Sequence, residues 1–303
     1  MDRIACMKSF VRTVETGSFS AVARELDTTQ PTISKQIAAL EEYLEVQLLV
    51  RSTRTLSLTD EGIRFYEQCQ RVLEAVAEAE SSVGQRQKLA GVLRVSCPVA
   101  FGQLQVVPRL KAFLERYPDI KIDLMMADHF VDLIEEGVDL AIRIGKVQDT
   151  SLITQRIGTT RRITIGHQSY FERAGEPQTP EDLVKHNCIV YTRLATGNEW
   201  HFQGTSGVIQ VVVSGNFQAN NSTAIRAAVC AGLGIAVSPV WLFGDALGDG
   251  NLKVILKDYQ PVPLPIYAVY RRGRFVPAKV LCLIDFLSNE FKLDPWVSDY
   301  GQS

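Results

Sequence analysis

Residues 18–44 read SFSAVARELDTTQPTISKQIAALEEYL, and their spacing decides the fold of the N-terminal part. Phe19, Ala23 and Leu26 fall on one face of a short helix, with Ser18 or Ser20 as its N-cap, while Ile33, Ile37, Leu40 and Leu44 mark a longer one. Only Asp27 to Thr29 separate the two. Thr29 suits the cap of the second helix, and Pro31 suits its first turn because the N–H that proline lacks has no intrahelical acceptor there. Upstream, Ile4, Met7, Phe10, Val11 and Val14 recur at helical spacing until Gly17 ends the run. A helix followed by two short helices across a tight turn predicts a helix-turn-helix core.

The exposed start of the last helix reads Gln30, Pro31, Thr32, Ser34 and Lys35. Gln pairs bidentately with adenine, Lys with guanine or a phosphate, and hydroxyls with either. Residues 1–60 hold 7 basic and 8 acidic side chains, so the usual basic footprint of a nucleic-acid binder is missing and an ordinary polar helix face is the competing reading. The next segment favours DNA. Arg51 to Leu58 alternates like a strand and carries Arg51 and Arg54 with no acid before Asp60, the pattern of a β-wing whose arginines reach the backbone or a narrow minor groove.

Gly17-Ser18-Phe19-Ser20-Ala21, the run from Gln30 to Glu41, Arg51-Ser52-Thr53-Arg54 and Leu58-Thr59-Asp60-Glu61-Gly62 together resemble the DNA-binding domain of LysR-type transcriptional regulators. The resemblance extends through nearly the whole chain. It implies a winged helix-turn-helix in which Gln30, Pro31, Thr32, Ser34 and Lys35 face the major groove and Arg51 and Arg54 face backbone and minor groove. Two positions depart from the family pattern: Lys35 stands where Arg is frequent, which weakens bidentate guanine readout, and Glu45 stands where Gly commonly ends the third helix. A non-glycine residue in a left-handed C-cap costs about 1 kcal/mol.

Thr59 suits the cap of a helix running to about residue 88, in which Phe65, Cys69, Val72, Val76, Ala79 and Val83 repeat at spacings of four and three. Such a heptad seam is covered by a second copy in a coiled coil, so the pattern predicts a homodimer joined by a linker helix of residues 61–90; packing on the chain's own second domain is the alternative. A dimer presents two recognition helices to two half-sites.

After Gly91 strands and helices alternate. Val92–Ser96, Ile120–Met126, Val138–Ile144 and Ile163–Gly166 read as strands, with an amphipathic helix of Leu104, Val107, Leu110, Phe113 and Leu114 between the first two. Cys188–Tyr191, Ile209–Val213, a helix from Thr223, Gly234–Ser238, Ile266–Tyr270 and a last helix from Ala278 follow. This is βαβ grammar and predicts α/β lobes on mostly parallel sheets. The resemblance implies a two-lobed, periplasmic-binding-protein-like (type 2) effector domain over 91–303, with lobe I at about 91–163 and 267–303 and lobe II at about 164–266. Its effector would lie in the cleft between lobes. Strand C-termini meeting helix N-termini favour an anion there. The two best junctions are Pro98-Val99-Ala100-Phe101-Gly102 and Asn220-Asn221-Ser222-Thr223, with Asp128, His129, Gly145, Lys146 and Trp200 as weaker rim candidates.

The chain has 303 residues, 46% of them hydrophobic and 22% charged, with 32 basic against 34 acidic side chains, so it reads as two or more globular domains and not as a disordered or membrane-spanning chain. The longest uncharged run, Ala227 to Gly244, is punctuated by Gly232, Gly234, Ser238 and Pro239 as in an α/β core. Six scattered cysteines without CxxC pairs fit reduced thiols in the cytoplasm and provide no metal site. The histidines at 129, 167, 186 and 201 share no ligand-like spacing, and Gly232-Leu233-Gly234 leads from helix into strand, the reverse of a dinucleotide fingerprint. The expectation is a non-enzymatic regulator needing no cofactor. Its expected partners are double-stranded operator DNA, a small organic acid, its own copies as a homodimer or homotetramer, and RNA polymerase if it activates. A solute-binding module, or redox sensing through Cys97, Cys188 or Cys230, is the alternative.

Overall fold

The computed structural model describes residues 1–51, 56–83, 89–147, 149–205, 207–248, 250–272 and 276–298. The chain divides into two compact units, Met1–Lys88 and Leu89–Ser303.

In the first unit, α1 (Arg3–Thr16), α2 (Phe19–Glu25) and α3 (Gln30–Leu44) bury Phe10, Val22, Ile33, Ile37 and Leu40 in one core. Each helix starts where a short polar side chain takes an otherwise orphaned N–H: Asp2 for Ala5, Ser18 for Ala21 and Thr29 for Thr32. Gly17 ends α1 at φ 65°, and Glu45 ends α3 at φ 57°, so the left-handed cap expected from the sequence is present on a residue with a Cβ. A two-stranded wing, β1 (Leu49–Arg51) and β2 (Leu56–Leu58), pairs antiparallel and leads into α4 (Asp60–Val83). Thr59 caps α4, its hydroxyl accepting the Gly62 N–H at 2.9 Å and donating to the Gln47 carbonyl at 2.6 Å. Asp60 and Glu61 then place negative charge at the positive end of the helix dipole.

The first turns of α4 correct the seam reading. Cys69 is only 1% exposed within its own unit, and Phe65 packs on Phe10 with ring centroids 5.8 Å apart. Both residues serve the helix-turn-helix core, because the 3.6-residue period turns the N-terminal end of the seam toward α1. Val72, 38% exposed, and the half-buried Val76 remain available beyond it, and Ala79 and Val83 continue the same helix.

The second unit begins with β3 (Gly91–Cys97) and a helical segment made of α5 (Val99–Phe101), a π turn (Gly102–Val106) and α6 (Val107–Arg116). Then come β4 (Ile120–Met126), β5 (Leu140–Ile144), β6 (Leu152–Thr160), β7 (Arg162–His167), α7 (Gln168–Ala174), β8 (Val190–Tyr191), β9 (Glu199–Gly204), β10 (Gly207–Val212), β11 (Gln218–Ala219), α8 (Ser222–Cys230), β12 (Ile235–Pro239), β13 (Leu252–Ile255), β14 (Leu264–Arg271) and α9 (Ala278–Leu293). Lobe I carries the five-stranded sheet β4-β3-β5-β14-β6. Its β3, β4 and β5 are parallel, as expected from the βαβ pattern, whereas β14 runs antiparallel to both β5 and β6. Lobe II departs further from the expected parallel sheet. Its strands β12-β7-β13 pair antiparallel and β9 and β10 form a hairpin, whereas β8 and β11 pair parallel as expected. The chain crosses between lobes at Arg161 and again between β13 and β14. Phe101, Leu287 and Phe291 from lobe I share one apolar cluster with Ile225, Ala236, Trp241 and Phe243 from lobe II.

Candidate functional site

The face of α3 opposite its buried Ile33, Ile37 and Leu40 carries exposed Gln30, Pro31, Thr32 and Lys35, with Ser34 half-buried beside them. The Thr32 hydroxyl lies 2.8 Å from that of Thr29, so the cap also orders this face. Behind it, the Glu41 carboxylate accepts the backbone N–H of Leu48 at 2.9 Å and of Leu49 at 3.1 Å, fixing the base of the wing to α3. The guanidinium of Arg12 forks onto Glu25 at 2.7 and 2.8 Å, joining α1 to α2 and holding the Glu25 carboxyl below the usual carboxylate range. Arg51 ends β1, and Arg54 lies outside the described residues.

In the second unit the two predicted junctions do meet, but the negative charge between them belongs to the chain itself. Asp128 follows β4; its Oδ1 accepts the Val99 N–H at 3.0 Å, and its Oδ2 accepts the Asn221 side-chain amide at 2.5 Å. Asn221 is also the N-cap of α8, its Oδ1 accepting the Ala224 N–H at 3.1 Å and the Thr223 hydroxyl. The helix-start N–H of Val99 is thus satisfied within lobe I, and the Asn221 amide is bonded across the cleft.

A cavity of about 100 Å³ lies beside this bridge, lined by Pro98, Phe101, Asp128, Tyr191, Ser222 and Trp241 among others. It opens toward a larger chamber of about 700 Å³, and Phe130, Arg143, Ile144, Lys146, Arg162, Arg193, Leu194 and Leu264 line both. Arg143 is 9% exposed. Among the described residues it donates only long bonds, to the carbonyls of His129 (3.5 Å) and Val131 (3.3 Å), and its guanidinium sits 5.3 Å from the Phe130 ring centre. Arg162 spends Nε and Nη2 on a single acceptor, the Val262 carbonyl, at 2.8 and 2.6 Å. Burial lowers the affinity of both arginines for protons, pushing Arg162 down to about 10, so each stays charged at neutral pH while poorly hydrated. Among the described residues no carboxylate forms an ion pair with either. Arg143 is buried and Arg162 half-buried; a desolvated cation without a charged partner is costly, and an anion entering the cleft removes that cost.

The sequence-derived site is therefore brought together in part. Pro98, Phe101, Asp128, His129, Lys146 and Ser222 line the inner cavity, and Gly145 lines the outer chamber. Ala100 and Gly102 are buried and do not line it; a Cβ on Gly102 would come within 2.7 Å of the Cys97 sulfur. Trp200, 5% exposed, belongs to the core of lobe II and not to the rim, because β9 turns it inward. Asn220 and Thr223 are exposed, and Val99 and Asn221 are spent on Asp128. Arg143 and Arg162 escaped the sequence reading. The signal was there for one of them: Arg143 interrupts the apolar strand Leu140-Ala141-Ile142-Arg143-Ile144, where a charge needs a reason. Cys97 and Cys188 are buried, and burial pushes both thiols up to about 12, so neither is a thiolate at neutral pH. Cys230 alone of the three redox candidates is exposed. Among the described residues no group of His, Cys, Asp and Glu is placed to hold a metal ion, and no helix is long and apolar enough to cross a membrane.

Comparison with known proteins agrees with both halves. Residues 4–63 match the lysR family of bacterial regulatory helix-turn-helix proteins, and residues 86–292 match the LysR substrate binding domain. The chain belongs to the LysR family of transcriptional regulators, with a DNA-binding helix-turn-helix domain and an effector-binding domain. It is 32% identical to the HTH-type transcriptional activator AaeR of Escherichia coli K12 over 96% of this chain and 94% of that protein. It is likewise 32% identical to the transcriptional regulator CrgA of Neisseria meningitidis serogroup C, over 93% and 94%. Among solved structures, CrgA from Neisseria meningitidis matches with a TM-score of 0.60 at 31% identity, covering 94% of this chain and 98% of that one. The full-length virulence activator AphB of Vibrio cholerae matches with a TM-score of 0.58, also at 31% identity and the same coverage.

Proposed function

We propose that this regulator answers to a small organic acid whose carboxylate lies against Arg143 and Arg162 in the cleft between the lobes. The observation that carries the reading is the pair of poorly hydrated guanidinium groups facing one cavity with no carboxylate partner among the described residues. Operator DNA is read in the cytoplasm by the Gln30 to Lys35 face and by the wing arginines Arg51 and Arg54. Two or more copies act together through the exposed part of α4, and the regulator contacts RNA polymerase where it activates. The acid changes the output by preferring one arrangement of the regulator over another; equal affinity for both would shift nothing. A redox reading has less support, since two of its three cysteines are buried and protonated.

Titration calorimetry of organic acids on the full chain tests this, paired with operator binding by the same protein. Arg143→Gln is expected to weaken acid binding by about tenfold or more, the loss of hydrogen bonds to a charged group, while operator affinity without acid stays within about twofold. Unchanged acid binding in Arg143→Gln and Arg162→Gln together would move the carboxylate elsewhere.

A further inference from the structure

The inner cavity is polarised. Arg143, Lys146, Arg162 and Arg193 line it where it meets the outer chamber, whereas Asp128, Ser222 and Tyr191 line the inner cavity alone, and Asp128 brings the opposite charge. An ionised carboxylate has about four acceptor positions, and the described bonds to Asp128, from the Val99 N–H and the Asn221 amide, use two. No Lys, Arg or His forms an ion pair with Asp128 among the described residues. A ligand that filled this cavity with hydrocarbon alone would strip water from the remaining acceptor positions of Asp128 and replace it with nothing, which costs affinity. A second carboxylate there would meet like charge. A hydrogen-bond donor meets neither penalty.

Size narrows the choice further. An apolar cavity of about 150 Å³ accepts benzene. The inner cavity, at about 100 Å³ between walls formed by Phe101, Ile144, Val237 and Trp241, is smaller than that, so it takes a short chain or part of one ring, with the rest of the molecule extending toward the outer chamber.

We infer that the effector is a small carboxylic acid bearing a hydroxyl or amino group away from its carboxylate, the acid meeting Arg143 and Arg162 and the donor meeting Asp128. The inference rests on the organic-acid reading given above and adds the second recognition point. It assigns Asp128 two tasks: it joins the lobes through Asn221 and selects against acids that lack a donor.

Calorimetry on the full chain with matched acids separates the two ideas. Benzoate is compared with 3- and 4-hydroxybenzoate, pentanoate with 5-hydroxypentanoate, and 4-methoxybenzoate controls for size without a donor. In at least one pair the hydroxy acid is expected to bind about tenfold tighter than its parent, and the methoxy acid no tighter than benzoate, because only a donor reaches a charged acceptor with a hydrogen bond. Asp128→Asn, which keeps an acceptor for Val99, is expected to narrow that preference to under about threefold. If the variant does not fold, the hydroxy and methoxy acids compared on the unaltered chain still decide. Parent and hydroxy acids binding equally, or a preference that survives Asp128→Asn, overturns the inference and leaves the organic-acid reading standing. Absence of binding by all of these acids, in a protein that still binds its operator, overturns the organic-acid reading itself.

Discussion

At Gly62 the first unit leaves no room for a side chain. A Cβ there would lie 2.1 Å from the Leu48 carbonyl oxygen and 3.0 Å from the Leu58 side chain. The backbone of Leu48 cannot retreat freely, because Glu41 holds the N–H groups of Leu48 and Leu49. Gly62→Ala is therefore expected to destabilise the first unit by about 1–3 kcal/mol, the range for overpacking, as read from urea unfolding. A loss within experimental error would mean that the wing and α4 do not approach this closely. Glu45 presents the opposite case: its left-handed φ is tolerated at a cost of about 1 kcal/mol, which a glycine would remove. The strain at Glu45 was legible in the sequence because it ends a well-marked helix. Arg143 was legible only in part, as a charge inside an apolar strand, since periodicity records apolar faces and does not say which cavity such a side chain lines.

Elements with strong periodicity were the readable ones. The helices α1, α3 and α9 and the strands β3 and β4 follow their apolar patterns to within a few residues. β6 was missed because Thr154, Gln155, Arg156, Thr159 and Thr160 fill it with polar side chains, which an edge strand pairing only with β14 can carry. Alternating strands and helices resemble βαβ units, which holds in lobe II for the parallel pair β8 and β11 but not for β7, β12 and β13, whose direction depends on crossovers that no local pattern records. α4 shows the same limit from the other side. Its 24 residues span about 36 Å, and the heptad spacing is real, yet Phe65 and Cys69 are covered by the chain's own core. The dimer reading then depends on the second half of the helix. Val76→Glu is expected to dissociate the assembly, since each copy would bury a charge without a partner, whereas Ile63→Glu, at an exposed position of the first turn, is expected to leave it intact. Light scattering at micromolar concentration distinguishes these outcomes, and a monomeric parent chain would end the seam argument.

For the second unit as a whole, the lobes are tied by the Asn221–Asp128 bond, by Phe101 against Trp241 with ring centroids 5.3 Å apart, and by the Trp241 indole N–H on the Thr160 hydroxyl at 2.8 Å. Asn221→Ala removes both the α8 cap and the first of these ties. Its expected cost is about 2 kcal/mol, or about 4–8 °C in the melting temperature of this unit. Asn221→Asp keeps the cap but sets two carboxylates face to face. The raised affinity for a proton that follows makes its deficit greatest at neutral pH and smaller as the pH falls toward about 5. A deficit independent of pH in calorimetric scans would show that the two groups are not in contact.

The position of β14 has a consequence for how the chain is made. That strand lies between β5 and β6 in the lobe I sheet, yet it begins at Leu264, whereas β5 ends at Ile144. At about 5–20 residues per second, a ribosome needs on the order of 10 s to deliver the missing strand. Over that interval β5 waits with an unpaired edge, and the apolar cluster around Leu140 and Ile142 lacks Ile266, Ala268 and all of α9. The helix-turn-helix unit has no such delay, since every described residue of its core lies within the first 73 positions. During each round of translation, the half that binds DNA can finish folding while the half that senses is still exposed to chaperones and to neighbouring nascent chains.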